Sequence, residues 1–537
     1  MKRIKYLFLL FFGIFFTLFL NLNAQQFKAI PIEIEREFAF VKVAWVSDSM
    51  FCIVADKEFN GNKFVHFVFF YNSSGKLLHE PIKFRSSFSS QDDYCFSMEE
   101  TLFFIEDEIN DIGGHIFRIA AFIGKDGILH DERKEIFYIN HSKESRMLEK
   151  EHFSFNVYTG KNHKNALLTY NNDYADPKQE GFRFKILNSN GKISDEDTLQ
   201  LPFYDRLSNM NDIIFDDEKM KIYILCNLFE DKDNKKQYLK SVFIKYDIIT
   251  KFISETIDDM AIFSKCKVQH ILKGDKLIFS GLKTDEADPS KWSAAFSSID
   301  LNTMHVDLAK NFIPEKEYTD PFYFRGKLLN EFIIPIGFNM DTLGNLYAGW
   351  TKFFSLQQIP AMKNSGSMSY PGIPVLVVPS VPGLVIGIAL LAGAALAYNM
   401  SQSNSPYQDL SLWVKYSPLN DEFKVDTINS KVPFNNYYTF SFSTLEVGEN
   451  IYCASNSISL ENKFKSTIQF KRVNDVADLA SSDSSTFSLL PINLIYPTSE
   501  LKTMNKNYII GQKVNEKGLK EGLGSAIKNQ IYLMIFE

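Results

Sequence analysis

Cysteine is scarce and scattered in this chain: Cys52, Cys95, Cys226, Cys266 and Cys453 are far apart, odd in number and contain no CxxC pair. That density excludes a disulfide framework, and no metal-like spacing with histidine accompanies it. Four of the five stand in strand-like apolar text, as in Phe51-Cys52-Ile53 and Tyr452-Cys453-Ala454; such cysteines read as small core residues, and an exported protein leaves room for one disulfide among them. Catalytic signatures are missing too. No HExxH or GxSxG occurs, and Gly522-Leu523-Gly524 follows no long strand, so zincin, nucleophile-elbow and nucleotide-loop chemistry lack their motifs. Positive charge is never concentrated: 58 Lys and Arg against 65 Asp and Glu leave a net charge of −7. Nucleic-acid binding requires a basic surface that neutralises phosphates, and nothing here supplies one; the same argument disfavours electrostatic docking to an anionic membrane. Long amphipathic helical stretches are also nearly absent.

The amino terminus is the most specific local signal. Lys2, Arg3 and Lys5 precede fifteen uncharged residues, Tyr6 to Leu20, and then Asn21-Leu22-Asn23-Ala24. Basic, apolar and short polar regions in this order predict a secretory signal peptide over residues 1–24. The apolar run is shorter than the ~20 residues a spanning helix needs. Removing its three positive charges takes the net charge from −7 to −10. The expected location is outside the cytoplasm: periplasm, outer-membrane-associated or extracellular, with a leader of bacterial type.

The body of the chain is rich in aromatics, with 50 Phe and 24 Tyr, which suit pleated, half-buried surfaces. One pattern recurs: an apolar strand, a short turn and a second strand. It appears at Phe69 to Leu78 around Asn72-Ser73-Ser74-Gly75, at Phe122 to Leu129 around Gly124-Lys125-Asp126-Gly127, and at Ile186 to Ile193 around Asn188-Ser189-Asn190-Gly191. Such turn residues allow the positive φ that tight hairpins require. Degenerate copies follow near Thr250, Thr303, Asn420 and Asp475, and successive markers from Gly75 lie 52, 64, 59, 53, 117 and 55 residues apart. Upstream of these hairpins lie two more strand candidates split by an acidic turn, as at Asp212–Phe215 and Lys221–Leu225, at Tyr438–Ser443 and Asn450–Ser455, and at Ile333–Phe338 and Asn345–Trp350. Each unit therefore reads as four antiparallel strands.

Four strands per ~50–60 residues, repeated in tandem, describe propeller blades, and the Tyr-Asn-Ser-Ser-Gly-Lys-Leu hairpin resembles the outer hairpin of such blades. The chain resembles the β-propeller superfamily in general over nearly its whole mature length, with no WD, kelch or Asp-box signature to narrow it. The resemblance implies an all-β fold: a single ring over residues 27–537 of seven or eight four-stranded blades, closed by amino- and carboxy-terminal strands. Phe27 to Glu35, Tyr508-Ile509-Ile510 and Gln530 to Phe536 are the strands expected to complete an eighth blade. The rival architecture is a pair of β-sandwiches.

The one doubled spacing contains a foreign insertion in the sixth repeat unit, taken as residues 354–408. No charged residue occurs from Asn364 to Gln408, and Pro371 to Tyr398 is built of Pro, Gly, Ala and aliphatics. Its aliphatic residues, Val375, Leu376, Val377, Val378, Leu384, Val385, Ile386, Ile388, Leu390 and Leu391, are the expected contact residues for a partner or a membrane. Burying a large aliphatic side chain is worth ~1.5–3 kcal/mol, so this stretch requires a cover. Four covers compete: a single membrane span, a re-entrant or interfacial hairpin through residues 371–398, a protein partner, and the chain's own propeller. The insertion is expected to leave the sixth blade between its second and third strands, on the face that carries the blade-to-blade connections.

Chemistry is otherwise thin. Acidic clusters give the metal candidates, with Asp107, Asp111, Asp231 and Asp233 as ligands of a calcium ion, although none follows the EF-hand spacing; no other cofactor is expected. Trp45, Trp292, Trp350 and Trp413 lie in strand text and are expected in the core. The resulting expectation is a non-enzymatic binding or scaffold protein of the cell envelope that docks a membrane protein or complex through the insertion. The alternatives are an exported hydrolase or lyase with carboxylates in a central funnel, and a membrane-active protein that uses the insertion as a hairpin.

Overall fold

A computed structural model describes the strands and most of their turns between residues 27 and 536. Residues 1–26, 356–407, 473–493 and 514–529 lie outside the described residues, as do shorter stretches including 87–94, 141–152, 173–179, 256–267, 314–322 and 432–441. The described elements are strands arranged in successive antiparallel sheets.

Six sheets have four strands each, every strand paired with its neighbour in sequence. Blade 1 runs Phe40–Val46, Met50–Phe59, Lys63–Asn72 and Ile82–Ser86. Blade 2 runs Cys95–Met98, Thr101–Ile109, Gly114–Ile123 and Leu129–Asn140. Blade 3 comprises Phe153–Thr159, Asn165–Asn172, Gly181–Asn188 and Ile193–Gln200; blade 4 comprises Ser208–Asp216, Lys221–Lys232, Lys235–Asp247 and Phe252–Glu255. Blade 5 is Gln269–Lys273, Lys276–Thr284, Trp292–Asp300 and Val306–Phe312; blade 6 is Asn330–Met340, Leu346–Ser355, Gln408–Ser417 and Glu422–Lys431. Blade 7 has three described strands, Phe442–Val447, Asn450–Ser459 and Lys465–Arg472.

The eighth sheet joins the two ends of the chain. Phe27–Ile32 pairs antiparallel with Gln530–Phe536, which pairs with Asn507–Lys513, which in turn pairs with Leu494–Ile495 and Leu501–Lys502. The amino-terminal strand thus takes the outer place of the last blade, in register from Phe27 opposite Phe536 to Ile32 opposite Ile531. A two-stranded ribbon, Tyr323–Phe324 with Lys327–Leu328, lies between blades 5 and 6 in sequence.

The sheets form a ring because each packs on the next. Apolar clusters join blade 8 to 1, 1 to 2, 2 to 3, 3 to 4, 4 to 5 and 5 to 6. Blade 7 touches blade 6 on one side and blade 8 on the other. First strands meet first strands across the 1–2, 2–3, 3–4, 5–6 and 6–7 seams, which places them on the inner rim. The burial pattern follows. The third strand of blade 5, Trp292–Asp300, is buried along nearly its whole length because both faces of its sheet are covered. The fourth strands of blades 3 and 5 alternate between partly buried and exposed residues, as an outer edge requires, and the run Asp195-Glu196-Asp197 keeps that edge charged.

Several expectations change in detail. Of the strand expected at Tyr438–Ser443, residues 438–441 lie outside the described residues, and Phe442 and Ser443 open the strand Phe442–Val447, paired with Asn450–Ser459. The expected terminal strand Phe27–Glu35 ends at Ile32. Two β-sandwiches are excluded by the unbroken series of sequential sheets. The hairpin turns come in two lengths: Gly75 and Gly191, three residues after Asn72 and Asn188, have φ of 85° and 73°, and in the degenerate copies, which are one residue longer, Lys251, Met304 and Asp421 take the positive-φ place at 57°, 60° and 52°. A side-chain acceptor at the start of the turn makes this affordable without glycine, as where Asp300 Oδ1 accepts the N–H groups of Asn302 and Thr303.

Two outcomes test the closure. Leu533, fully buried in the seam between blades 8 and 1, should lose about 2–5 kcal/mol on substitution by alanine, read as a lower urea midpoint by circular dichroism. Deleting residues 27–34 bares the edge of Gln530–Phe536, and the truncated chain should self-associate by size-exclusion chromatography.

Candidate functional site

The two ends of the ring are built differently. At one end lie the first-to-second and third-to-fourth turns of each blade, which are hydrogen-bonded to each other within blades 1, 3, 4 and 5. At the other end lie the second-to-third connections and the links from blade to blade.

The turn end is occupied by contacts that latch one blade to the next. Asp217, 6% exposed, begins the first turn of blade 4 and accepts the backbone N–H groups of Asn162, Lys164 and Asn165 in blade 3 at 3.0, 2.9 and 3.2 Å. A Cβ at Gly160 would stand 2.1 Å from Asp217 Cγ, so this approach requires glycine. Lys219 pairs with Asp275 of blade 5, Lys245 Nζ donates to the Leu301 carbonyl at 3.0 Å, and Lys310 meets Asp421 of blade 6 at 2.7 Å. Asp197 of blade 3 receives Lys251 of blade 4 at 2.8 Å and the Tyr246 hydroxyl at 3.3 Å. The Lys251 hydrogen bond holds the Asp197 carboxyl below its ordinary range; burial, then Asp197, pushes the Tyr246 phenol up to about 12. Tyr71 of blade 1 donates to the Glu33 carbonyl at 2.6 Å, just past the closing strand. The sequence separations of the latches from Asn162 to Asp217, Lys219 to Asp275 and Lys245 to Leu301 are 55, 56 and 56 residues, one repeat each.

The connection end is where the insertion belongs. Leu346–Ser355 and Gln408–Ser417 are hydrogen-bonded neighbours, with Lys352 opposite Leu410. Residues 356–407 therefore leave and rejoin blade 6 side by side at the connection end. A single crossing that carried residues 409–537 across a membrane is incompatible with this sheet, whose strands come from both sides of the insertion. Val375, Leu376, Val377, Val378, Leu384, Val385, Ile386, Ile388, Leu390 and Leu391 lie outside the described residues. At the same end, buried Glu180 accepts the Gly181 N–H and receives the Ser208 hydroxyl at 3.3 Å, anchoring the link from blade 3 to blade 4.

On the inner rim, Asp212 and His270 meet across blades 4 and 5, with Oδ2 and Nδ1 2.7 Å apart. Asp212 is 7% exposed and His270 35%, and the Ile213 N–H donates to Asp212 Oδ1 at 3.0 Å. A carboxylate on Nδ1 orients the imidazole and leaves Nε2 as the remaining ring nitrogen, the arrangement of a positioned general base. No residue of this pair stood out in the sequence. Their separation of 58 residues, one repeat length, is the signal that would have shown them as equivalent positions on neighbouring inner strands.

The other candidates are dispersed. Asp107 lies on the second strand of blade 2 and Asp231 on that of blade 4; Asp111 and Asp233 lie outside the described residues. Among the described residues, no three His, Cys, Asp or Glu side chains are grouped as a metal site, and no helix is long and apolar enough to cross a membrane. Trp45, Trp292, Trp350 and Trp413 are all buried, at 4%, 4%, 1% and 2% exposure, so they pack the blades and are withdrawn from ligand stacking. Cys52, Cys95 and Cys226 are buried and stand in their thiol form.

Sequential antiparallel sheets, six of them with four described strands, packed face to face in a ring with the terminal strands paired in one sheet, define a β-propeller. Among solved structures, the chain is similar to the WD40 domain of SCAP from fission yeast at 8% identity, covering 95% of this chain and 98% of that one with a TM-score of 0.38. It is similar to the β-propeller domain of the Trilobed protease from Pyrococcus furiosus at 9% identity, over 83% of this chain and 98% of that one, TM-score 0.37. A Synechocystis apocarotenoid oxygenase matches at 10% identity over 84% and 87%, TM-score 0.31. No protein-family model and no curated protein matches the chain. The fold assignment rests on sheet order and seams, which need no relative.

Asp217→Ala should lower stability by about 2–4 kcal/mol, since three backbone N–H groups lose an anionic acceptor, read as an earlier urea midpoint. A pH effect is expected at Asp341. Burial pushes its carboxyl up, but donors from Asn345, Tyr347 and the Leu343 N–H outweigh this and leave it below its ordinary value. A lowered carboxyl stabilises the fold above the unfolded-state value and loses that contribution as pH falls through the folded-state value. Urea midpoints of Asp341→Asn should therefore lie below those of the parent chain at neutral pH and converge with them in acid.

Proposed function

We propose that this chain is an exported, non-enzymatic binding or scaffold propeller of the bacterial cell envelope, which docks a membrane protein or complex through the apolar insertion of blade 6. One observation carries the reading: the strands flanking residues 356–407 are paired neighbours in one sheet, so an aliphatic segment without charge from Asn364 to Gln408 is tethered by both ends at the connection end of the ring. The turn end supports it by contrast, because its polar groups are consumed in latching blades. Export rests on the leader-like pattern of residues 1–24. Deleting Ser367 to Gln402 should abolish co-sedimentation and crosslinking with envelope membranes while the circular dichroism spectrum stays that of the parent chain. Retained association after the deletion would end this reading.

The second reading is an exported hydrolase or lyase, and the Asp212–His270 pair on the inner rim favours it. That pair sets one oriented base beside the channel, in place of the two funnel carboxylates that glycoside cleavage uses. His270→Gln should leave membrane association unchanged under the scaffold reading; loss of a hydrolytic activity in the same variant would support the enzyme.

A further inference from the structure

The seam between blades 1 and 2 contains two thiols. Cys52 lies on the second strand of blade 1, and Cys95 opens the first strand of blade 2. Both belong to one apolar cluster with Ala44, Val54, Leu102 and Phe104, at 0% and 6% exposure. Cys226 is packed elsewhere, between blades 3 and 4. The two seam thiols feel each other: burial, and then the neighbouring Cys95, holds the Cys52 thiol well above its ordinary value.

We propose that Cys52 and Cys95 form a disulfide that staples blade 1 to blade 2 in the exported protein, an inference that rests on the export reading. The reaction is exchange with the disulfide of a thiol–disulfide oxidoreductase. One cysteine thiolate attacks a carrier sulfur and forms a mixed disulfide; the second thiolate displaces the carrier; the Cys52–Cys95 bond forms and the carrier leaves as a dithiol, having taken two electrons and two protons. The thiolate is the attacking species and burial disfavours it. Exchange therefore precedes closure of the seam, and the folded, reduced protein resists the same oxidant.

Two preparations separate the pairing from the export reading. In the first, the chain with its leader is produced in a bacterium with an oxidising periplasm and alkylated with N-ethylmaleimide in denaturant without reductant. Three of the five cysteines should take the label, and peptide mapping should recover Cys52 linked to Cys95. In the second, reduced and denatured chain is refolded in a glutathione redox buffer, with no export required, and should give the same link. Folded, reduced chain placed in that buffer should remain fully alkylatable after denaturation. Five labelled cysteines in the refolded sample, or a bridge that excludes Cys52 and Cys95, overturns the pairing. The link in the refolded sample with five labels in the cellular one overturns its formation in the exported protein.

Discussion

The structure depends on burying both faces of each radial sheet against its neighbours. A single antiparallel sheet of this kind, with apolar residues on two faces, has no stable existence in water, and each large side chain enclosed in a seam contributes ~1.5–3 kcal/mol. The requirement is circular in the literal sense: blade 1 is covered on one side by blade 2 and on the other only if blade 8 exists. The pairing of Phe27–Ile32 with Gln530–Phe536 meets that condition. It completes the last blade with a strand from the opposite end of the chain, so that Ile30 and Ile32 join Val43, Ile53 and Leu533 in one cluster.

Seams supply cohesion without direction, and the polar latches at the turn end supply the register. Asp217 gathers three N–H groups of the preceding blade, and lysines from blades 2 and 4 reach carbonyls of the next. Because these groups serve the ring, the turn end offers little unsatisfied chemistry. The connection end carries the segments whose lengths vary from unit to unit, and it is there that the sixth blade releases its long apolar connection. Placing variation away from the turn-end latches is how a repeat fold admits an insertion of this size without losing its closure.

Much of this was legible in the sequence. The markers Gly75, Gly191, Thr250, Thr303 and Asn420 fall at third-to-fourth-strand turns, because hairpin turns impose local backbone demands that Gly, Asn and Asp answer through their own conformations and side-chain acceptors. The strands at both ends of the chain were legible as well, but whether they complete an eighth blade was not, because that depends on their pairing across the whole chain. The Asp212–His270 pair was invisible because neither residue has a local signature and their meeting needs two blades side by side.

The sequence by itself determined the period, the antiparallel units, the turns and the presence of one uncharged insertion, since each follows from interactions within about ten residues along the chain. Only the tertiary structure decided which units touch, which acids became latches and which histidine met an aspartate. Those outcomes depend on contacts near one repeat apart or, at the closing blade, across the whole chain. Such contacts arise from the burial of complementary faces, a property of two surfaces together that neither segment carries alone.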